Sequence, residues 1–429
     1  MVFPPKLKTN DYRMTKKHIF IYSCAILSFW SIVSLIMGNF TKLPVGDEID
    51  YVMRGAGLLA NGLEAISDGY RPPLFPFLVA ALNLVVPERY LLLGMRILNL
   101  VIVATIPALW WLAGINQKNR RLYIFMGLFT ATWPIYYYFG ALALAEAPSI
   151  FCLNVIIILL LDRIVDGNNI QIFKRAFLLS LLLAALFLLK ANNILVAMPV
   201  ALIFLFLSKC SFLSRFKYTI FMALTTFLLI LPWFIFLKTS IGEWKITTTG
   251  GLNLLVGTGG QHHFGLKEDP TALHARYMAS RLNEASRQLS TNELESLQSK
   301  SSSRAQIDNI SKSIALRIWR QDTMGQIIYG ALKVAHSFGG SLRGFKDYLT
   351  IIFFLTIGIA TLFVCRHQKY RPYVALHLSC MLCGIFISFF FLPNIRFKTF
   401  YFDTTGLLIL ACAFEILFQK LQYRVASPR

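Results

Sequence analysis

The chain has 429 residues, 56% of them hydrophobic and 14% aromatic, and only 15% are charged. A soluble domain carries about a quarter charged residues, so this composition excludes an ordinary water-soluble fold. The formal net charge of +21 belongs with membrane topology rather than nucleic acid, because the basic residues collect at one end of the apolar runs and no basic-plus-aromatic groove motif accompanies them.

In chain order, apolar runs that can cross about 30 Å of hydrocarbon as helices recur about ten times. They are predicted at 18–38, 90–113, 121–139, 144–161, 176–190, 192–208, 218–238, 347–364, 372–391 and 401–418. Lipid offers no partner to backbone N–H and C=O groups, so these runs must be helical. Strand-like alternation is absent, which argues against an outer-membrane barrel. The expected fold is an all-α polytopic membrane protein with two outer-face segments that contain interfacial or amphipathic helices. It divides into an N-terminal transmembrane module (1–238, with a first outer loop over 39–89), a large outer-face segment (239–346) and C-terminal transmembrane helices (347–429).

Basic residues set the expected orientation. Lys6, Lys8, Arg13, Lys16 and Lys17 precede the first run, and Lys118, Arg120 and Arg121 follow the second. Arg163, Lys174 and Arg175, then Lys209, Arg215 and Lys217, then Arg366, Lys369 and Arg371 lie on the same side, as do Lys420, Arg424 and Arg429 in the tail. Both ends are therefore expected in the cytosol, in a bacterial inner membrane, with the first run retained as a helix because it lacks a small-residue cleavage site. Of seven cysteines, Cys380 and Cys383 form a C-x-x-C inside a predicted crossing. Packing is the preferred reading there over a metal or redox site, and no disulfides are expected, since no cysteine falls in the outer loops.

The first outer segment opens with Gly46-Asp47-Glu48 and continues through Tyr51, Ala56, Leu58 and Leu59, the spacing of an amphipathic surface helix that stops at Asn61-Gly62. Arg71-Pro72-Pro73 then opens an apolar stretch over 74–86 that is too short to span. In the second segment, Asp269-Pro270 reads as a helix start, and a helix is expected from about 291 to 336, with Ser290-x-x-Glu293 in the form of a capping box and an end near Gly339-Gly340.

Carboxylates just outside hydrocarbon are partly desolvated, which suits Asp47, Glu48 or Asp50 to take a proton from an acceptor hydroxyl. Asp47 ahead of a helix also serves as an N-cap. Glu146 begins a crossing, Lys190 lies in a short turn between two, and Arg71, Arg396 and Lys398 complete a set of outer-face charges. Such cations suit a departing phosphate; singly, each reads more often as a snorkelling or anchoring residue, and their shared side of the membrane is the informative part.

These residues carry a resemblance. Gly46-Asp47-Glu48-x-x-Tyr51 followed by Arg71-Pro72-Pro73-Leu74-Phe75-Pro76 looks like the first outer loop of the GT-C glycosyltransferases, and more narrowly of the glycosyltransferase 39 group, which includes protein O-mannosyltransferases and the aminoarabinose transferase of lipid A. Trp133-Pro134 with Glu146, Pro232-Trp233 with Gly242, Thr247 to Leu254 with Gly257, and Arg396-Phe397 resemble later stretches of that group in the same order. The resemblance implies an inverting hexosyl- or pentosyltransferase that uses a polyprenyl-phosphate-linked sugar on the outer face. The acceptor would be a hydroxyl on lipid, glycan or protein.

By the same resemblance Asp47 is the base or acceptor-orienting carboxylate with Glu48 beside it, Arg71 contacts the donor phosphate, and Lys190 and Arg396 are further phosphate contacts. Tyr51, Glu146 and Asn253 are expected to position substrate. Where some relatives carry an acid directly before the basic-Pro pair, Gly69-Tyr70 stand here, and Asp68 is the nearest acid. No cofactor is expected to be required. His262 and His263 are a weak signal for a divalent metal, for which a plain loop surface is preferred. The competing readings are a flippase for a lipid-linked sugar, an oligosaccharide polymerase or ligase of the same fold, and an envelope scaffold. The flippase would favour ionisable residues at the bilayer midplane, of which the runs contain few.

Overall fold

The computed structural model describes residues 16–38, 40–44, 46–115, 117, 119–161, 169–207, 211–258, 303–339, 345–391 and 398–426. Among these residues there is no strand. The helices are α1 (Lys16–Ile36), α2 (Gly46–Asn61), α3 (Leu74–Asn83), α4 (Glu88–Gly114), α5 (Arg120–Thr132), α6 (Pro134–Gly140), α7 (Glu146–Leu161) and α8 (Asn169–Leu189). They continue with α9 (Ala197–Leu207), α10 (Phe212–Ile241), α11 (Gly250–Gly257), α12 (Arg304–Gln321), α13 (Thr323–Gly339), α14 (Phe345–Cys365), α15 (Arg371–Phe390) and α16 (Thr404–Ala426).

Among the described residues, six stretches are long and apolar enough to cross a membrane: Lys17–Ile36, Glu88–Gly114, Ile172–Leu189, Phe212–Ile241, Gln368–Phe390 and Thr399–Tyr423. Three other expected crossings are shorter apolar helices, Glu146–Leu161, Ala191–Leu205 and Thr350–Cys365. The tenth, expected over 121–139, is divided into α5 and α6 at Trp133, whose backbone is extended (φ −79°, ψ 104°). Pro134 causes the break: it has no N–H to donate, and its ring disfavours helical backbone at the residue before it.

Other boundaries also differ from expectation. The crossing that begins near 192 opens with a 3₁₀ turn, Ala191–Val196, and the last one follows a π-helical turn, Lys398–Asp403. The helix expected over 291–336 is divided, in its described part, into α12 and α13 at Asp322 (φ −138°, ψ 55°). Its described start is capped by Ser303, whose hydroxyl accepts from the Gln306 amide while the Gln306 side chain accepts from the Ser303 amide. Asp269-Pro270 and Ser290-x-x-Glu293 lie outside the described residues. The segment between α1 and α4 follows its sequence closely. α2 ends at Asn61, and Gly62 takes the left-handed conformation that terminates it (φ +59°).

The main core joins α4, α5, α7, α8, α15 and α16 around residues such as Trp110, Ile156, Leu183, Cys380 and Leu408. Cys380 and Cys383 are both buried on α15, and the Cys383 thiol faces the Leu195 carbonyl at 3.5 Å, as packing residues. α2 and α3 sit against this core through two apolar contacts. Tyr51, Phe75 and Val79 pack with Leu91, Met95, Ala143–Ala145 and Leu189. Leu58, Ile66 and Ala80 pack with Phe187, Ile230, Trp233 and Leu237. The two helices approach so closely that a Cβ on Gly55 would overlap the Val79 side chain. A side chain there would push α2 away from α3 and with it every charge described next.

Candidate functional site

α2 places Asp47, Asp50, Tyr51 and Arg54 three and four residues apart, on one side of a helix. Asp50 accepts from Arg54 Nε at 3.0 Å through one oxygen and from Arg71 Nε at 2.8 Å through the other. Arg71 Nη2 donates to Asp47 at 2.6 Å. Arg54 then reaches Asp68 with two parallel bonds of 2.6 and 2.8 Å, the forked geometry only a guanidinium supplies. Arg304 closes the cluster from α12, with its Nε 3.1 Å from Asp68. Three carboxylates and three guanidinium groups thus form one connected set.

Aromatic rings wall this set. The Arg71 guanidinium lies over Tyr51 (4.9 Å) and Tyr70 (4.7 Å), and Arg304 lies over Tyr70 at 4.1 Å. Asp47 is the most open carboxylate, with 33% of its side chain exposed. Burial lowers the proton affinity of Arg71, but Tyr51, Asp47 and Asp50 outweigh it and hold the pKa above the ordinary arginine value. Arg71 is therefore a permanent cation.

The turn that carries Arg71 is fixed by the segment that follows α10. Gly69 has φ +65°, a conformation natural to glycine, and a Cβ there would sit 2.8 Å from Leu237. Its carbonyl accepts from the Thr248 amide at 2.9 Å, and the Thr248 hydroxyl donates to the Asp68 carbonyl at 2.9 Å. Asp308 on α12 accepts from the Gly251 amide at 2.6 Å and pairs with Lys245 at 3.0 Å. These contacts tie α11 to α12 and fix where Arg304 emerges.

Burial alone would raise the Asp68 carboxyl; hydrogen bonds from Arg54 and the Tyr70 amide, and the charges of Arg54 and Arg304, hold it below the usual carboxylate range. A depressed folded-state pKa stabilises the protein above the unfolded value and loses that contribution as pH falls through the folded value. The thermal-midpoint difference between wild type and Asp68→Asn is therefore expected to be constant from pH 8 to 5. It should shrink only below about pH 4, where unfolded aspartate takes up its proton. A difference that vanishes already at pH 6 would contradict the assigned environment.

Glu48, expected beside Asp47 as a second reacting carboxylate, is wholly buried and turned the other way. It forms a forked pair with Arg96 of α4 at 2.9 and 2.8 Å and accepts from the Ala143 amide at 2.7 Å. Arg96 also donates to the Lys42 carbonyl at 3.0 Å. Glu146 and Lys190 are brought together at 2.8 Å. They line a narrow cleft with Ser149, Asn193 and Phe400, in which Asn193 donates to Ser149 at 2.9 Å. The cleft neighbours the first cluster, because Tyr51 shares a buried apolar contact with Leu144, Ala145 and Leu189, the residues preceding this pair. Asn253 is exposed on α11. Arg396, His262 and His263 lie outside the described residues.

Asp50 was among the candidate carboxylates read from sequence, but Arg54, Asp68 and Arg304 were not singled out as site residues. Arg54 carried a usable signal, since its spacing from Asp47 and Asp50 is that of one helix face. Asp68 stood out only as the nearest acid to Arg71. Arg304 had none, because nothing local in its sequence distinguishes it from other exposed arginines.

No family model matches the chain, and no curated protein matches it. Among solved structures, the crystal structure of ArnT from Cupriavidus metallidurans bound to undecaprenyl phosphate is similar over 95% of this chain and 79% of that chain, with 13% sequence identity and a TM-score of 0.43.

Proposed function

We propose that this chain is a membrane glycosyltransferase that moves a sugar from a polyprenyl-phosphate donor to an acceptor hydroxyl on the face of the membrane opposite its basic connections. The observation that carries the reading is the connected set of Asp47, Asp50 and Asp68 with Arg54, Arg71 and Arg304, walled by Tyr51 and Tyr70. Such a set offers a partly open carboxylate next to a permanent cation in a half-buried setting.

In the proposed chemistry the phosphate of the donor docks on Arg71, with Lys190 as a further contact from the adjoining cleft and Arg396 as the third cation the sequence suggests. The acceptor hydroxyl gives its proton to Asp47 as its oxygen attacks the anomeric carbon. The bond from that carbon to the phosphate oxygen breaks, and the departing phosphate keeps the electron pair beside Arg71. Attack opposite the leaving group gives inversion. Asp50 and Arg54 hold Arg71 and Asp68 in place, while Glu48 fixes α2 on α4 and takes no part in proton transfer. Tyr51, Glu146 and Asn253 keep their proposed role in positioning substrate.

Lipid-linked sugars in membranes of a strain lacking this chain should be compared with those of the complemented strain and of an Asp47→Asn complement. The expected result is loss of one sugar modification with accumulation of its polyprenyl-phosphate donor, restored only by the active chain. Identical profiles in all three strains would sink the reading.

A further inference from the structure

The bundle has a second polar feature at its other end. α15 runs 20 residues from Arg371 to Phe390, about 30 Å at 1.5 Å per residue. Its Phe390 end abuts Gly257 of α11, close to the charge cluster, because a Cβ on Gly257 would overlap the Phe390 carbonyl. The Arg371 end is therefore a membrane thickness away. α16 gives the same placement, since it starts beside the turn at Asn192, whose carbonyl accepts from Tyr401 at 2.6 Å, and runs away from it.

At this far end, the α14–α15 turn and the last turns of α16 enclose a cleft of about 470 Å³ lined by His367, Lys369, Tyr370, Gln419, Lys420 and Tyr423. Lys369 is half exposed and reaches back to Glu415 at 3.5 Å; Glu415 is buried beneath and also accepts from Gln419 at 3.1 Å. Lys420 lies exposed over the Phe363 ring at 5.1 Å and makes no ion pair among the described residues. Arg366 is exposed at the rim. Cations outnumber the one buried carboxylate, so the cleft favours an anion.

The flanks identify the kind of anion. Ile359 and Leu362 on α14 and Leu417 and Leu421 on α16 are exposed apolar side chains beside the cleft, 69%, 67%, 48% and 59% accessible. A soluble phosphate makes no use of such surface, whereas acyl chains lie along it. Tyr423, 77% exposed, supplies the amphipathic ring common at headgroup depth. We propose that this cleft holds the headgroup of an anionic phospholipid from the leaflet on the basic side, with its phosphate between Lys369 and Lys420. This site is separate from the proposed transfer chemistry and stands if that reading fails.

The test is titration of the full chain in detergent with phosphatidylglycerol, phosphatidylcholine or inorganic phosphate, with bound molecules counted by native mass spectrometry. Phosphatidylglycerol should be retained over phosphatidylcholine. Each cation near an anionic headgroup contributes roughly fivefold, so K369Q/K420Q should bind phosphatidylglycerol about 30-fold more weakly. K420Q alone breaks no ion pair and keeps Glu415 covered, so it serves if the double variant fails to fold; its expected loss is about fivefold. Unchanged phosphatidylglycerol binding in K420Q, equal retention of phosphatidylcholine, or full competition by inorganic phosphate would each overturn the proposal.

Discussion

Asp47→Asn should insert and fold as wild type and transfer sugar about 10²- to 10⁴-fold more slowly, the range that removal of a general base spans. Asparagine keeps the shape of the side chain and a carbonyl oxygen to accept from Arg71 Nη2, so the bond at 2.6 Å has a neutral replacement. Basicity is lost. The measurement is single-turnover transfer with purified enzyme, alongside a thermal midpoint. A rate within a factor of three of wild type, at equal protein in the membrane, would remove Asp47 from the chemistry. Collapse of the midpoint as well would recast it as a scaffold residue.

Glu48→Gln should have the opposite signature. Arg96 lies 1% exposed in α4, a helix long and apolar enough to cross a membrane, and the Glu48 carboxylate is its counter-charge. Removing one member of a buried ion pair leaves an uncompensated charge and costs on the order of 3–5 kcal/mol. Glu48→Gln should therefore lower the thermal midpoint and the amount of protein recovered, with a smaller effect on the rate per folded molecule. The double change Glu48→Leu with Arg96→Leu should recover part of the stability, because an apolar pair removes the buried unpaired charge, while the bonds to the Ala143 amide and the Lys42 carbonyl stay lost. A Glu48→Gln protein that is stable and inactive would restore the reacting role its sequence suggested.

These two neighbours show how far local sequence reaches. Composition and the apolar runs indicated an all-helical membrane protein, and Asn61-Gly62 marked the end of α2 because glycine adopts left-handed backbone at low cost. Asp47 and Glu48 looked alike as adjacent acids after a crossing. Successive residues on a helix point about 100° apart, so only one of them could face the cluster. Which one depended on α4 carrying Arg96 on the side that meets α2, a matter of tertiary packing. Trp133-Pro134 held a readable break that the hydropathy of 121–139 concealed. Lys190 and Glu146 were visible as charges at crossing ends. Their pairing depends on the apposition of α7 and α8, which spacing along the chain does not encode. Asp68 and Arg304 meet only because Thr248 grips the turn at Gly69 while Asp308 anchors α12.

That last junction bears on how the protein matures. A growing chain that has emerged through Arg71 carries Asp47, Asp50 and Asp68 against Arg54 and Arg71, one negative charge in excess. Neutrality arrives with Arg304, which is synthesised much later. The ion pairing of the first segment is thus completed only when the later segment folds against it, so the two halves of the cluster cannot reach their final charge balance independently.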